Sequence, residues 1–226
     1  MLDAVLFDMD GLMFDTERIG REGWHAAAQI LGISIPESVI DAMRGTGVEE
    51  CRALFNARIP GNLYDTAKKL RTDYADIYIR RNGLPVKPGL LTLLKWLEEQ
   101  HIPAALATST GREKAMGYLR MAGVEKYFSD FCFGTEVPRA KPAPDIFLAA
   151  AKKLRADPRR CVVLEDSPNG LRAARAAGCR CIVVPDLTPA PKKEENLWDA
   201  KAQTLAEVIP IVKKLQETPE KIPFAG

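Results

Sequence analysis

No apolar run in this sequence approaches the roughly 20 residues that a bilayer-spanning helix needs. Charge of one sign is missing too: 32 Lys and Arg stand against 30 Asp and Glu, a formal net charge of +2 over 226 residues. That balance supplies no long-range field toward nucleic acid or an anionic lipid surface, so neither is expected as a partner. The first apolar stretch has no basic lead-in and is interrupted by Asp3, Asp8 and Asp10, unlike a signal peptide. Cysteine is sparse: five residues, an odd number without metal-type spacing, argue against a disulfide framework and for a reducing, cytoplasmic setting. Cys161, Cys179 and Cys181 fall in or beside apolar strand-like runs and read as small buried hydrophobes.

What is present is an ordinary globular composition, 46% hydrophobic and 27% charged, in a chain long enough for one large or two modest cores. Five β-rich segments are read over 4–7, 102–107, 131–133, 161–164 and 181–184. Several are continuous apolar runs, as suits strands buried on both faces, and from 102 onward each is followed by a helical pattern. This alternation predicts a parallel sheet covered by helices. Thr110-Gly111-Arg112-Glu113 reads as a capping box, and Ser167-Pro168 as an N-cap with proline at the first helical position. Between the first two strands the pattern is helical only. Thr16 is placed to cap a helix ending near Gly32, and further helices are expected over 48–58 and 63–81. The chain returns to the sheet at Val86-Lys87-Pro88-Gly89. The expected organisation is therefore an α/β core from 1–15 and 87–217, an inserted all-helical cap over 16–86, and a flexible tail over 218–226.

In an open parallel sheet, ligands bind beyond the carboxyl ends of the strands. After the first strand stand Asp8 and Asp10; after the second, Thr108-Ser109-Thr110. The third leads to a loop containing Lys141, and the fourth ends in Glu165-Asp166-Ser167. Four carboxylates in one crevice cannot all ionise without a compensating cation. Hard oxygen ligands of this kind favour Mg²⁺, which shares phosphate oxygens readily. Lysine and the amides of a helix start suit the remaining phosphate oxygens. The pattern points to a site that gathers Mg²⁺ and a phosphate and leaves carboxylates over for chemistry.

Asp8-x-Asp10-Gly11, Thr108-Ser109, Lys141-Pro142-Ala143-Pro144-Asp145 and Glu165-Asp166-Ser167, in this order and strand context, resemble the haloacid dehalogenase superfamily. The likeness is to its beta-phosphoglucomutase-like phosphatase branch, with a small helical cap, and runs from about residue 2 to 215. It implies a Rossmann-like parallel-sheet core and Mg²⁺-dependent hydrolysis of a small phosphorylated metabolite, a sugar phosphate for preference. In such an enzyme Asp8 would be the nucleophile and Asp10 the general acid and base. Asp8, the Asp10 carbonyl, Glu165 and Asp166 would hold the metal. Thr108, Ser109 and Lys141 would bind and neutralise the phosphate. Thr16 and the loop Arg44-Gly45-Thr46 would face the substrate from the cap, which opens and closes about links near Asp15 and 86–89. A monomer is the default.

Two further readings stand beside this one. Beta-phosphoglucomutases resemble the chain through Asp15-Thr16, but they carry a cap histidine where this chain has Gly20, and a phosphate-gripping arginine where it has Val48. Arg21, Arg44, Lys69 and Arg71 are the nearby bases that could substitute. The third reading, a non-catalytic binding protein of the same fold, would be expected to have lost Asp8, Asp10 or the metal acids, and all are present.

Overall fold

Strand β1 (Ala4–Phe7) is buried along its whole length, and its successive side chains divide two cores between them. Val5 and Phe7 pack with Leu90, Leu93 and Leu106 on one face, while Ala4 and Leu6 pack with Phe147, Leu171 and Val163 on the other. That is what a strand with helices above and below requires, since alternate residues point to opposite faces. The computed structural model describes residues 2–44, 46–187 and 196–217. Gly45 and the expected tail 218–226 lie outside the described residues.

Five more parallel strands complete one sheet: β2 (Ala104–Thr108), β3 (Asp130–Phe133), β4 (Cys161–Glu165), β5 (Arg180–Val183) and β6 (Ala200–Lys201), in the order β3-β2-β1-β4-β5-β6. Val5 pairs with Ala104 on one side of β1 and with Val162 on the other. The order reverses at β1, so the crevice outside its carboxyl end is where a doubly wound sheet takes its ligand. Five strands are those read from the sequence. The sixth, β6, went unpredicted because two residues, one of them an exposed lysine, carry no periodicity.

Between β1 and β2 come α1 (Thr16–Leu31), α2 (Glu37–Met43), α3 (Val48–Asn56), α4 (Tyr64–Asn82) and α5 (Leu90–Glu99). The short α2 and the later α5 are additions to the three helices expected there. Helices α1 to α4 enclose a cluster of their own around Trp24, Phe55 and Tyr64, whose rings lie 5.7–6.3 Å apart. Their connection to the sheet is narrow. Asp15 N–H donates to Pro85 and Lys87 N–H to Met13, so the outgoing and returning chains run side by side, with Phe14 bridged to Val86. Beyond the sheet's remaining connections lie α6 (Arg112–Met121), α7 (Asp145–Lys153), α8 (Pro168–Ala176) and α9 (Val208–Glu217). Among the described residues no helix is long and apolar enough to cross a membrane.

Candidate active site

The site begins where β1 stops. Asp8 keeps its N–H in the ladder, donating to Leu164, and Met9 is fully buried behind it. Gly11 then turns the chain at φ +82°, a conformation that glycine adopts without strain. Its lack of a side chain matters as well, because a Cβ there would overlap the Asp166 carboxylate. The turn thus brings the first acidic pair against the end of β4.

Lys141 lies between two of those acids. Its Nζ donates to Asp8 Oδ1 at 2.5 Å and to Glu165 Oε1 at 2.6 Å, and all three residues are buried. The other Glu165 oxygen accepts from the Asp166 and Ser167 amides and from the Ser167 hydroxyl, at 2.9–3.0 Å. Ser167 also caps α8 by accepting from Gly170 N–H, with Pro168 at the first helical position, as the sequence predicts. Glu165 is therefore enclosed by donors and stands behind the cavity wall. Asp166 faces the cavity and meets Arg44 from the end of α2, Nη2 to Oδ2 at 3.3 Å.

Asp8, Glu165 and Asp166 each offer a carboxylate oxygen within 4.8 Å of the others. Burial pushes Asp8 up to about 8, with Glu165 and Asp10 adding to the rise and Lys141 opposing it. Burial also holds Asp166 well above the usual carboxylate range, reinforced by Glu165 and Asp8. The Lys141 ammonium is pulled down by burial, but Asp8 and Glu165 outweigh that and raise it. One lysine does not neutralise three crowded acids. An all-oxygen donor set with excess negative charge fits a hard divalent cation, and it includes no histidine or thiolate.

Asp10 has a different environment. Thr16 donates to its Oδ1 at 2.7 Å and Thr110 to its Oδ2 at 2.6 Å. This corrects two readings of the sequence. Neither threonine caps its helix: α1 follows Asp15 and α6 follows Gly111, and neither start has a side-chain cap bond. Each hydroxyl instead donates a charge-assisted hydrogen bond to the Asp10 carboxylate, which holds both side chains toward it. Thr108 is fully buried and accepts from Thr110 N–H at 3.0 Å.

A cavity of about 420 Å³ joins these groups, lined from the sheet side by Asp8, Asp10, Thr108, Ser109, Lys141 and Asp166, and from the helices by Thr16, Arg44 and Thr46. Thr46 is turned into its own loop, donating to Met43 O at 2.9 Å. His25 is at the surface beside Glu37, away from this lining.

Two contributors, Glu17 and Asp186, went unread in the sequence, and a third, Arg71, is named there only as one of several nearby bases. Glu17 lines the cavity, and burial raises its carboxyl against the opposing field of Arg71. Arg71 lines the same wall. Asp186, three residues past β5, has its side chain covered and pairs with Lys87, which also lies 3.7 Å from Asp15. Its position after a strand end was the available signal. Glu17 gave none, since a charge on a helix reads as a solvated face until a partner helix covers it.

The chain is 33% identical over 179 residues to a phosphorylated carbohydrates phosphatase of Thermotoga maritima, covering 78% of this chain and 82% of that one. It is 32% identical over 213 residues to a probable pseudouridine-5'-phosphatase of Drosophila melanogaster, covering 90% and 88%. The structure of CbbY from Rhodobacter sphaeroides in complex with phosphate superposes with a TM-score of 0.77 at 30% identity, over 92% of this chain and 96% of that one. A family pattern for haloacid dehalogenase-like hydrolases runs through residues 2–178. That span contains every strand end that builds the cavity, and the chain belongs to the haloacid dehalogenase-like hydrolase family.

Proposed function

We propose that the chain is a Mg²⁺-dependent phosphatase acting on the monoester of a small phosphorylated sugar or sugar-like metabolite, through an aspartyl-phosphate. The observation that carries this is the unequal treatment of the two acids. Asp8 is held by a lysine inside a carboxylate cluster, whereas both oxygens of Asp10 face hydroxyls. A lysine favours the ionised form that a nucleophile needs. Hydroxyls can donate to a carboxylate or accept from a carboxylic acid, so they hold Asp10 in either protonation state.

In the first step an Asp8 oxygen attacks phosphorus and the ester P–O bond breaks. The leaving oxygen takes the proton of Asp10. In the second step Asp10 takes a proton from water, whose oxygen attacks phosphorus, releasing inorganic phosphate and restoring Asp8. Lys141, Thr108 and the Ser109 amide bind the phosphoryl oxygens as charge spreads over them. Asp8, Asp166 and the Asp10 carbonyl would hold Mg²⁺, with Glu165 supporting from behind by fixing Lys141 and the Asp166 loop. When bound, the ion neutralises the crowded carboxylates and the phosphate and so admits an anionic substrate. The segment 16–86 acts as the cap, with Arg44 spanning from it to Asp166, over the 1–15 and 87–217 core.

The names of the two sequence relatives, both phosphatases, support hydrolysis and a sugar-like substrate. The mutase reading is not favoured: Gly20 brings no side chain to the acid, and Val48 opens α3 half-exposed. The decisive test is Asp8→Asn. Turnover is expected to fall by at least about a thousandfold, with loss of the acid-labile phosphoenzyme seen on rapid quench. Wild-type turnover in that variant would end the proposal.

A further inference from the structure

Asp186 stands at the same sheet edge as the acids of the site. It follows β5 by three residues, and β5 lies beside β4, whose end carries Glu165 and Asp166. Val184 N–H donates to Glu165 O at 2.8 Å, which keeps the two chains side by side past the strands. The Asp186 side chain is 3% exposed. Its two oxygens have unlike surroundings. Oδ1 meets the Lys87 ammonium, whereas Oδ2 is buried and has no hydrogen-bond partner among the described residues.

Gly11 shows where that second oxygen is aimed. A Cβ on Gly11 would overlap Asp166 Oδ2 and would come within 3.2 Å of Asp186 Oδ2. One oxygen from each acid therefore faces the small space that the missing side chain leaves, next along the chain to the Asp10 carbonyl. Asp186 is not one of the three acids whose oxygens lie within 4.8 Å of one another, so it stands outside the set of direct metal ligands. Two carboxylate oxygens that face one space repel each other and call for a donor. Arg44 donates to the Asp166 oxygen at 3.3 Å. Pairing with Lys87 accounts for Oδ1 of Asp186 and leaves the desolvation of Oδ2 uncompensated. Mg²⁺ gives up water reluctantly, so a centre with few protein ligands carries several waters, each a donor to acceptors around the direct ligands.

We propose that Asp186 is a positioning residue of the metal centre, its Oδ2 accepting a hydrogen bond from water carried by the Mg²⁺ that Asp8 and Asp166 hold. Lys87 keeps the carboxylate turned by occupying Oδ1, and the Lys87 backbone is itself fixed, its N–H donating to Met13 O. The inference rests on the Mg²⁺-dependent reading and adds to it a residue beyond the direct ligands.

Calorimetric titration of Mg²⁺ into the full chain, without substrate, is the test. Asp186→Ala is expected to weaken Mg²⁺ at least about tenfold. Asp186→Asn keeps an acceptor oxygen, loses the charge, and should weaken it severalfold; this isosteric variant carries the comparison if the alanine variant does not fold. Lys87→Met removes the ion pair but leaves the acceptor, so Mg²⁺ affinity should not fall. Phosphate release from an aryl phosphate by the Asp186 variants should recover toward wild type as Mg²⁺ is raised. Unchanged Mg²⁺ affinity in the Asp186 variants overturns the proposal, as does an equal loss in Lys87→Met, which would make Asp186 a partner of that lysine and nothing more. Either result leaves the metal assignment standing. A wild-type chain that takes up no Mg²⁺ removes both.

Discussion

At the scale of single residues, Glu165 shows how a buried charge is made tolerable. Lysine donates to one oxygen, and two amides and a hydroxyl donate to the other, so both oxygens are hydrogen-bonded. Gly170 is part of that arrangement, because a Cβ there would overlap the Glu165 carboxylate. Gly170→Ala is accordingly expected to displace Glu165 and loosen Lys141. Turnover should fall at least tenfold and stability by about 1–3 kcal/mol, read by steady-state kinetics and urea unfolding. Gly117, in the middle of α6, has open space where its Cβ would go. Gly117→Ala serves as the contrast and should gain about 0.5–1 kcal/mol without altering turnover. If the two substitutions behaved alike, the account of Glu165 would be wrong.

At the scale of elements, the approach of α1 and α4 depends on backbone against backbone. Gly23→Ala sets a methyl against the Arg71 carbonyl, which cannot rotate away as a side chain can. Separation of the two helices should destabilise the chain by about 1–3 kcal/mol, visible as a lower urea midpoint. An unchanged midpoint would show that the helices accommodate the methyl freely. The opening of α1 tells a related story. Thr16 stands where a capping residue belongs, yet its hydroxyl serves Asp10. Helix starts at the carboxyl ends of strands form the rim of the site, so the same small hydroxyl residues suit a cap and a catalytic acid. Sequence alone cannot choose between them.

At the scale of the whole molecule, crowding of acids at one sheet edge couples metal binding to folding. A ligand that binds only the native state stabilises it by about 2.7 kcal/mol at a hundredfold excess over its dissociation constant. For a chain of this size that raises the thermal midpoint by several degrees, at about 2–4 °C per kcal/mol. Added Mg²⁺ is therefore expected to raise the midpoint, EDTA to reverse the rise, and Asp166→Asn to abolish it. A melt indifferent to Mg²⁺ would contradict the metal assignment.

How much of this was legible follows from where each interaction is encoded. The sheet could be read because a strand buried on both faces must be a continuous apolar run, and β1, β2, β4 and β5 are such runs. Asp8, Asp10, Lys141, Glu165 and Asp166 could be listed because each follows a strand, and parallel strands must carry their ends to one edge. The tertiary structure alone decided which group meets which. It put Glu165 behind the wall, took Thr16 and Thr110 from their helices to Asp10, and laid Arg71 over Gly20. Those outcomes depend on packing between segments far apart in the chain. A helical periodicity says that a residue lies on a surface, and only the neighbouring helix determines whether that surface meets solvent or substrate.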